Sequence, residues 1–467
     1  MHHRIGLSSL FPLACTVLAA AAAGQTWRQA APAASPPARS GHGMATDTLR
    51  ERVVVFGGYH WTQDLHYQDT WEFDGQTWNQ VASPAAPSPR RLPGMCYDRQ
   101  IGAAVLFGGM FGGTFSTPTY FGDTWHHDGT GWHAVTPAGP SPTPRVVPMA
   151  YDAARGVVVL FGGFGNTAPY TYTDTWEYDG VVWTQRTPAT TSPPAHTSWA
   201  MAFDERRGVA VAHQGYVFGN PTPMQTWQWD GQDWARVVTP TYPPTLVGAA
   251  MTWDPRREVV VLVGAGYAGD TETWLFDGVD WQLDAAATIP NTRSGHALAY
   301  DDSRAAFVLF GGDVSSGAFI VESNQTWQLA TWAGFTQFGA GCAATGPAPV
   351  LFAPGGAPES GTTMTSRVGS LPAGSVPILI LGNSDTNWQG APLPLDLGAI
   401  GLPGCDLRVS VELAFLLVNL GGQADWSFAV PADPMLHGAT FFEQALVFDA
   451  AWQAEAVSTA AALTVGL

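Results

Sequence analysis

The sequence predicts an all-β protein: six copies of one four-stranded unit, then a smaller β-sandwich domain. Three observations carry this. One phrase returns at intervals of about fifty residues: DTWEFDGQTW from Asp69, DTWHHDGTGW from Asp123, DTWEYDGVVW from Asp174, QTWQWDGQDW from Gln225, ETWLFDGVDW from Glu272 and a shortened QTWQL from Gln325. Upstream of each stands a strand-like run ending in a small pair: VVVFGG, AVLFGG, VVLFGG, AVAHQG, VVLVGA and FVLFGG. The composition agrees, because 53 Gly, 36 Pro and only 12% charged residues suit short strands joined by tight turns.

Residues 1–23 read as a secretory signal peptide. Arg4 precedes an apolar run from Ile5 to Ala20, and Ala21 and Ala23 form an A-x-A cleavage site. The run is too short for a membrane span and no other transmembrane segment is evident, so the expected location is secreted, periplasmic or cell-surface. A net charge of −18 argues against nucleic acid or an anionic membrane as partner. All 20 basic residues are Arg, which excludes a Schiff-base or phosphate-loop lysine.

Each unit opens with a strand ending in Asp: GMATD to Asp47, GMCYD to Asp98, PMAYD to Asp152, AMAFD to Asp204, AMTWD to Asp254 and ALAYD to Asp301. A short turn, the apolar run, a variable loop and the Trp-bearing strand follow. An Asp-Gly pair, expected to form a two-residue type I′ turn, leads to a last strand with a second Trp. The sixth unit lacks that last strand. GQTWRQA from Gly24 matches GQTWNQV from Gly75, so residues 24–30 are expected to supply it and close the ring. Trp332 is the competing candidate for a local outer strand. The repeated Trp residues fill the wedges between sheets.

This pattern resembles the kelch family over residues 24–332, with a central domain of the galactose oxidase/kelch type. The likeness rests on Gly57-Gly58, Gly108-Gly109, Gly162-Gly163, Gly311-Gly312 and the Trp residues after them; units four and five depart with Gln214-Gly215 and Gly264-Ala265. It implies a six-bladed kelch β-propeller. It also implies that the ligand face is made by the loops after the GG strand and those entering each unit. That face would hold Arg39, His42, Arg90, Arg91, Arg145, His196, Arg293 and His296.

Aromatics crowd the first three loops: Tyr59, His60 and Trp61, then Phe115 and Tyr120, then Tyr170 and Tyr172. With Arg and His beside them they suit stacking on a sugar or a peptide. The Arg39/His42 and Arg293/His296 sets would meet at the channel mouth, either as an anion or sugar site or as bonds to loop carbonyls. Catalytic patterns are scarce. A copper-radical oxidase needs a Cys-linked Tyr, but Cys96 stands where the other units carry Ala45, Ala150, Ala202, Thr252 and Ala299, which makes it packing. His126 and His127 alternate sides of a strand and do not converge on a metal. No cofactor and no metal are expected.

After Trp332 the repeat stops. Residues 333–467 carry short apolar segments such as VPILILGNS and QALVFDAA, read as a β-sandwich, and resemble C-terminal modules of exported bacterial repeat proteins. Cys342 and Cys405 are expected to form a disulfide. The functional expectation is a binding or interaction module for a glycan or protein ligand, without chemistry. A sugar epimerase-like enzyme on the same scaffold and a structural cell-surface protein are the alternatives.

Overall fold

The computed structural model describes residues 26–466 apart from 113–116, 216–223, 245, 266–269, 286, 288, 290, 317–318, 331–333, 345 and 355. It forms two compact units that divide after Thr331.

The first unit holds six four-stranded antiparallel sheets. Blade one is Gly43–Asp47, Arg52–Phe56, Thr70–Phe73 and Trp78–Val81. The first strands of the next five blades are Gly94–Asp98, Met149–Asp152, Trp199–Asp204, Val247–Asp254 and Ala297–Asp301. Each first strand lies beside those of its two neighbours, and the sixth lies beside the first, so the ring is closed around a channel. This is a six-bladed β-propeller. The fourth strand of blade six is Thr26–Ala30, paired antiparallel with Thr326–Ala330 and with Trp27 opposite Leu329. Trp332 lies outside the described residues.

The recurrence of T-W and of the second Trp has one physical cause. The indole N–H of each outer-strand Trp donates to the Thr hydroxyl of the blade before it. Trp78 donates to Thr326, Trp132 to Thr70, Trp183 to Thr124, Trp234 to Thr175, Trp281 to Thr226 and Trp27 to Thr273, all at 2.8–3.0 Å. The hydrogen bonds run around the whole ring, and they satisfy indoles that burial would otherwise leave unpaired.

The Asp-Gly turns differ from expectation. Phe73 faces Trp78 in register, so the connection has four residues rather than two. Gly75 alone takes a left-handed φ, of 93°. Asp74 accepts the N–H groups of Gln76 and Thr77, an Asx turn in which the side chain replaces a backbone partner. A Cβ on Gly75 would also strike Arg304 of blade six.

The second unit packs a seven-stranded sheet on a three-stranded one. Leu351, Met364 and Val368 of the smaller sheet meet Leu379, Ala445, Val447 and Leu463 of the larger in one core. This is a β-sandwich, stapled by a disulfide between Cys342 and Cys405. Among the described residues no helix is long and apolar enough to cross a membrane.

Candidate functional site

Eight residues before the Asp that ends the first strand, seven in blade three, stand Arg39, Arg90, Arg145, His196, Leu246 and Arg293. The four arginines were expected on the ligand face, but they lie inside the blades. Arg39 is 0% exposed. Its Nη1 donates to the Gly57 carbonyl at 2.9 Å, and both Nη atoms donate to the Asp69 carboxylate at 2.6 and 2.9 Å. Its Nε donates to the Pro37 carbonyl and its guanidinium stacks on Tyr67 at 4.0 Å. Arg90 repeats this with Gly108, Asp123 and Phe121. Arg145 repeats it with Gly162, Asp174 and Tyr172. Although burial raises it, the bonds from Arg39 hold the Asp69 carboxyl below its ordinary value. These side chains clamp the GG turn to the start of the next strand, and their donors are taken. Tyr172 is likewise buried, and its hydroxyl donates to the Thr167 carbonyl.

The repeats vary in step with this role. The residue before T-W accepts the indole N–H of Trp71, Trp125, Trp176, Trp227, Trp274 and Trp327 in all six blades. It is Asp where Arg39, Arg90 and Arg145 need a carboxylate. It becomes Gln225 opposite His196 and Glu272 opposite Leu246. Blade six is the exception, because Arg293 remains while its partner is Gln325, reached at 2.5 Å. Burial without a carboxylate lowers Arg293 from its ordinary value to about 10.

His42 and His296 are also buried, and burial lowers both to about 3. His296 Nε2 lies 3.1 Å from the Val263 carbonyl, and His42 packs edge-on against Phe310. They are core residues, and of the two readings of the Arg/His sets the bonding to loop carbonyls fits, with His296 on Val263 and Arg293 on Gly311. His196 Nδ1 is likewise bound to the Ser198 backbone.

Four expected residues do converge, on the loop face. Tyr59–His60 and Leu65–His66 form a small hairpin in the first GG loop. Tyr59 is buried, its hydroxyl donates to Asp64 Oδ1 at 2.5 Å, and burial with that bond pushes it to about 12. The Arg91 guanidinium of the next entering loop stands 4.9 Å from the Tyr59 ring and 5.0 Å from the Trp61 ring. Burial lowers its pKa. Its Nη2 reaches the Gly112 carbonyl at 3.4 Å, and no ion pair is formed by it among the described residues. Trp61 is 45% exposed, as is Phe111, whose ring contacts His66.

Blade six completes the cluster with residues that sequence reasoning did not single out. Its GG loop is a hairpin of Asp313–Ser316 on Phe319–Glu322, with Asp313 directly opposite Glu322. Glu322 Oε1 accepts the Trp61 N–H at 2.5 Å, and its Oε2 lies 3.3 Å from His60 Nδ1. Burial raises Asp313 to about 6, and its Oδ1 is buried without a hydrogen-bond partner. The alternating pattern DVSS…FIVE was the available signal for this hairpin.

The remaining candidates stand apart. Tyr120 pairs with Met110 and contacts the Phe164 ring at 6.1 Å. Tyr170 is 61% exposed on the third loop. Phe115 lies outside the described residues. The assembled site therefore offers an open indole face, one guanidinium and carboxylate acceptors. Asp64, Asp313 and Glu322 outnumber Arg91, so a neutral ligand rich in hydroxyls suits it better than an anion.

A family model described as the KLHDC2/KLHL20/DRC7 Kelch-repeats domain matches residues 16–219. Among solved structures, the chain is similar to YjhT at 13% identity and TM-score 0.46, over 62% of this chain and 95% of that one. It is similar to YCF48 bound to D1 peptide at 12% identity and TM-score 0.34, over 65% and 96%. It is similar to NanB plus Optactamide at 9% identity and TM-score 0.42, over 63% and 69%.

Proposed function

Taking the first unit as a kelch-type β-propeller, we propose that it is a binding module for a neutral glycan, held on the loop face of blades one, two and six. The observation that carries this is Arg91, packed beside Tyr59 and a half-open Trp61. A pyranose ring lays its C–H face on an indole, and its vicinal hydroxyls take paired donors and acceptors. Arg91 supplies donors, and the exposed Asp64 carboxylate supplies an acceptor. Residues 1–23 would direct export, and the Cys342–Cys405 disulfide fits an oxidising compartment.

A glycan array with the intact chain, Trp61→Ala and Arg91→Gln tests the reading. Binding that drops at least about tenfold in either variant, the equivalent of about 1.4 kcal/mol, supports it. An array that captures no glycan with the intact chain, or glycan binding that ignores both substitutions, overturns it. In the first case a protein ligand becomes the better reading.

A further inference from the structure

We propose that the propeller channel is a second binding site, which takes one uncharged aromatic ring bearing an O–H or N–H donor, of the phenol or indole class. The six first strands line a cavity of about 170 Å³ along the axis. Their equivalent positions form layers. Met44, Met95, Met149, Met201 and Met251 with Leu298 form one layer of the lining. Tyr97, Tyr151, Phe203, Trp253 and Tyr300 form another, and its sixth position is Thr46.

The five aromatics have a common task. Each packs into the wedge between its own blade and the one before it. Tyr97 lies with Ala45 and Val54 of blade one, Phe203 with Ala150 and Val159 of blade three, and Tyr300 with Val261 and Val263 of blade five. The wedge between blades six and one has no ring at that position. Its core is Met44, Val53, Val55, Ala297, Ala299 and Val308, with Phe310, Phe73 and Trp78 from the second, third and fourth strands. Thr46 turns its hydroxyl to the Tyr300 carbonyl at 2.6 Å. A threonine in place of a phenol leaves room for about one ring. Thr46, Met44, Leu298, Ala299 and Tyr300 all line the cavity at that place. An apolar cavity of about 150 Å³ holds benzene, so the volume is sufficient.

The walls select the ligand class. Thioethers and aromatic edges favour a flat polarisable ring. Thr48, Arg99, Glu205 and Asp302 line the cavity at the turns that follow the first strands. Arg99 of blade two pairs with Glu205 of blade four at 2.9 Å, which leaves the Asp302 carboxylate in excess. The ionic groups at this end thus carry one net negative charge, which suits a donor and disfavours an aromatic acid.

The test uses the full chain with the ε-methyl groups of methionine labelled for NMR, titrated with p-cresol, indole and 4-methylbenzoate. The expected result is saturable binding of p-cresol or indole that shifts the channel methionines but not Met364 or Met435 of the second unit. 4-Methylbenzoate should bind at least about tenfold more weakly. Thr46→Tyr restores the residue type of three sister blades and should abolish the shifts, whereas Thr46→Val should keep them. Absence of saturable binding, shifts outside the channel, or equal binding of 4-methylbenzoate overturns the proposal. So does undiminished binding in a folded Thr46→Tyr variant. Should that variant not fold, the methionine shifts in the intact chain decide alone. Trp61→Ala, which tests the glycan site, should leave this binding unchanged.

Discussion

The mismatch of Arg293 with Gln325 invites repair. In blades one to three the equivalent arginine makes a two-pronged pair with Asp, while Arg293 meets an amide and leaves its Nε without a partner. Burial lowers Arg293 from its ordinary value to about 10. A difference of about 2.5 units at about 1.36 kcal/mol each puts the cost of keeping it charged near 3 kcal/mol. Gln325→Asp supplies the carboxylate and keeps the acceptor for the Trp327 indole. The new Asp must itself leave water, so part of that cost is recovered, about 2 kcal/mol. A unit of about 300 residues unfolds with roughly 0.6 kcal/mol per kelvin of entropy, so the midpoint should rise by about 3 °C. Scanning calorimetry of the wild type, Gln325→Asp, Arg293→Met and the double variant measures this. A melting temperature that falls or stays still in Gln325→Asp refutes the reasoning. So does a coupling between the two sites below about 0.5 kcal/mol.

Trp27→Phe removes the N–H that reaches Thr273 at 2.9 Å while keeping most of the ring's packing. It should cost about 1–2 kcal/mol in urea unfolding, and Thr273→Val in the same chain should recover part of that. Glu258 takes a left-handed φ of 53° in the turn where blades two to four use Gly102, Gly156 and Gly208. Glu258→Gly should therefore raise stability by about 1 kcal/mol, read from the same urea curves. Acid should weaken the propeller early. His42, His213 and His296 are lowered from 6.5 to about 3 by burial, so between those values the unfolded chain holds protons that the folded chain does not. Stability then falls as pH drops below 6.5, by about 2 kcal/mol for each histidine at pH 5. Asp313 acts in the opposite sense, since its folded carboxyl takes a proton near pH 6, above its ordinary 3.8. Three groups outweigh one, and a urea midpoint equal at pH 7 and pH 5 would contradict the assignment.

The propeller was legible because its rules are local and repeated. Strand, turn and Trp positions recur at fixed offsets, and each offset answers to a backbone or wedge requirement. What escaped depends on partners distant in sequence. Arg39 and Asp69 look like separate surface residues until the GG turn brings them together. A comparison among the repeats held the clue, since His196 and Leu246 arrive together with the loss of Asp at Gln225 and Glu272. The Asp-Gly pair was misread because Asp acts through its side chain, a choice that dipeptide identity does not reveal. Tyr59, Trp61 and Arg91 were singled out from type and position, and they lie together in the fold. Asp313 and Glu322 were missed because the hairpin pairing of the sixth GG loop, which sets them opposite each other, was not read.

The circle of indole-to-threonine bonds has a consequence for how the chain can be cut. Six equivalent indole–threonine joints hold the ring, and only in blade six does the fourth strand, Thr26–Ala30, come from the far end of the sequence. That strand waits for the last repeat to be made, so the ring cannot be completed blade by blade from its beginning. The seam has no special chemistry of its own, for Trp27 and Thr273 repeat the contact made at every other joint. A short peptide spanning residues 24–31, added to a chain that lacks them, would find the same groove and finish the circle from outside.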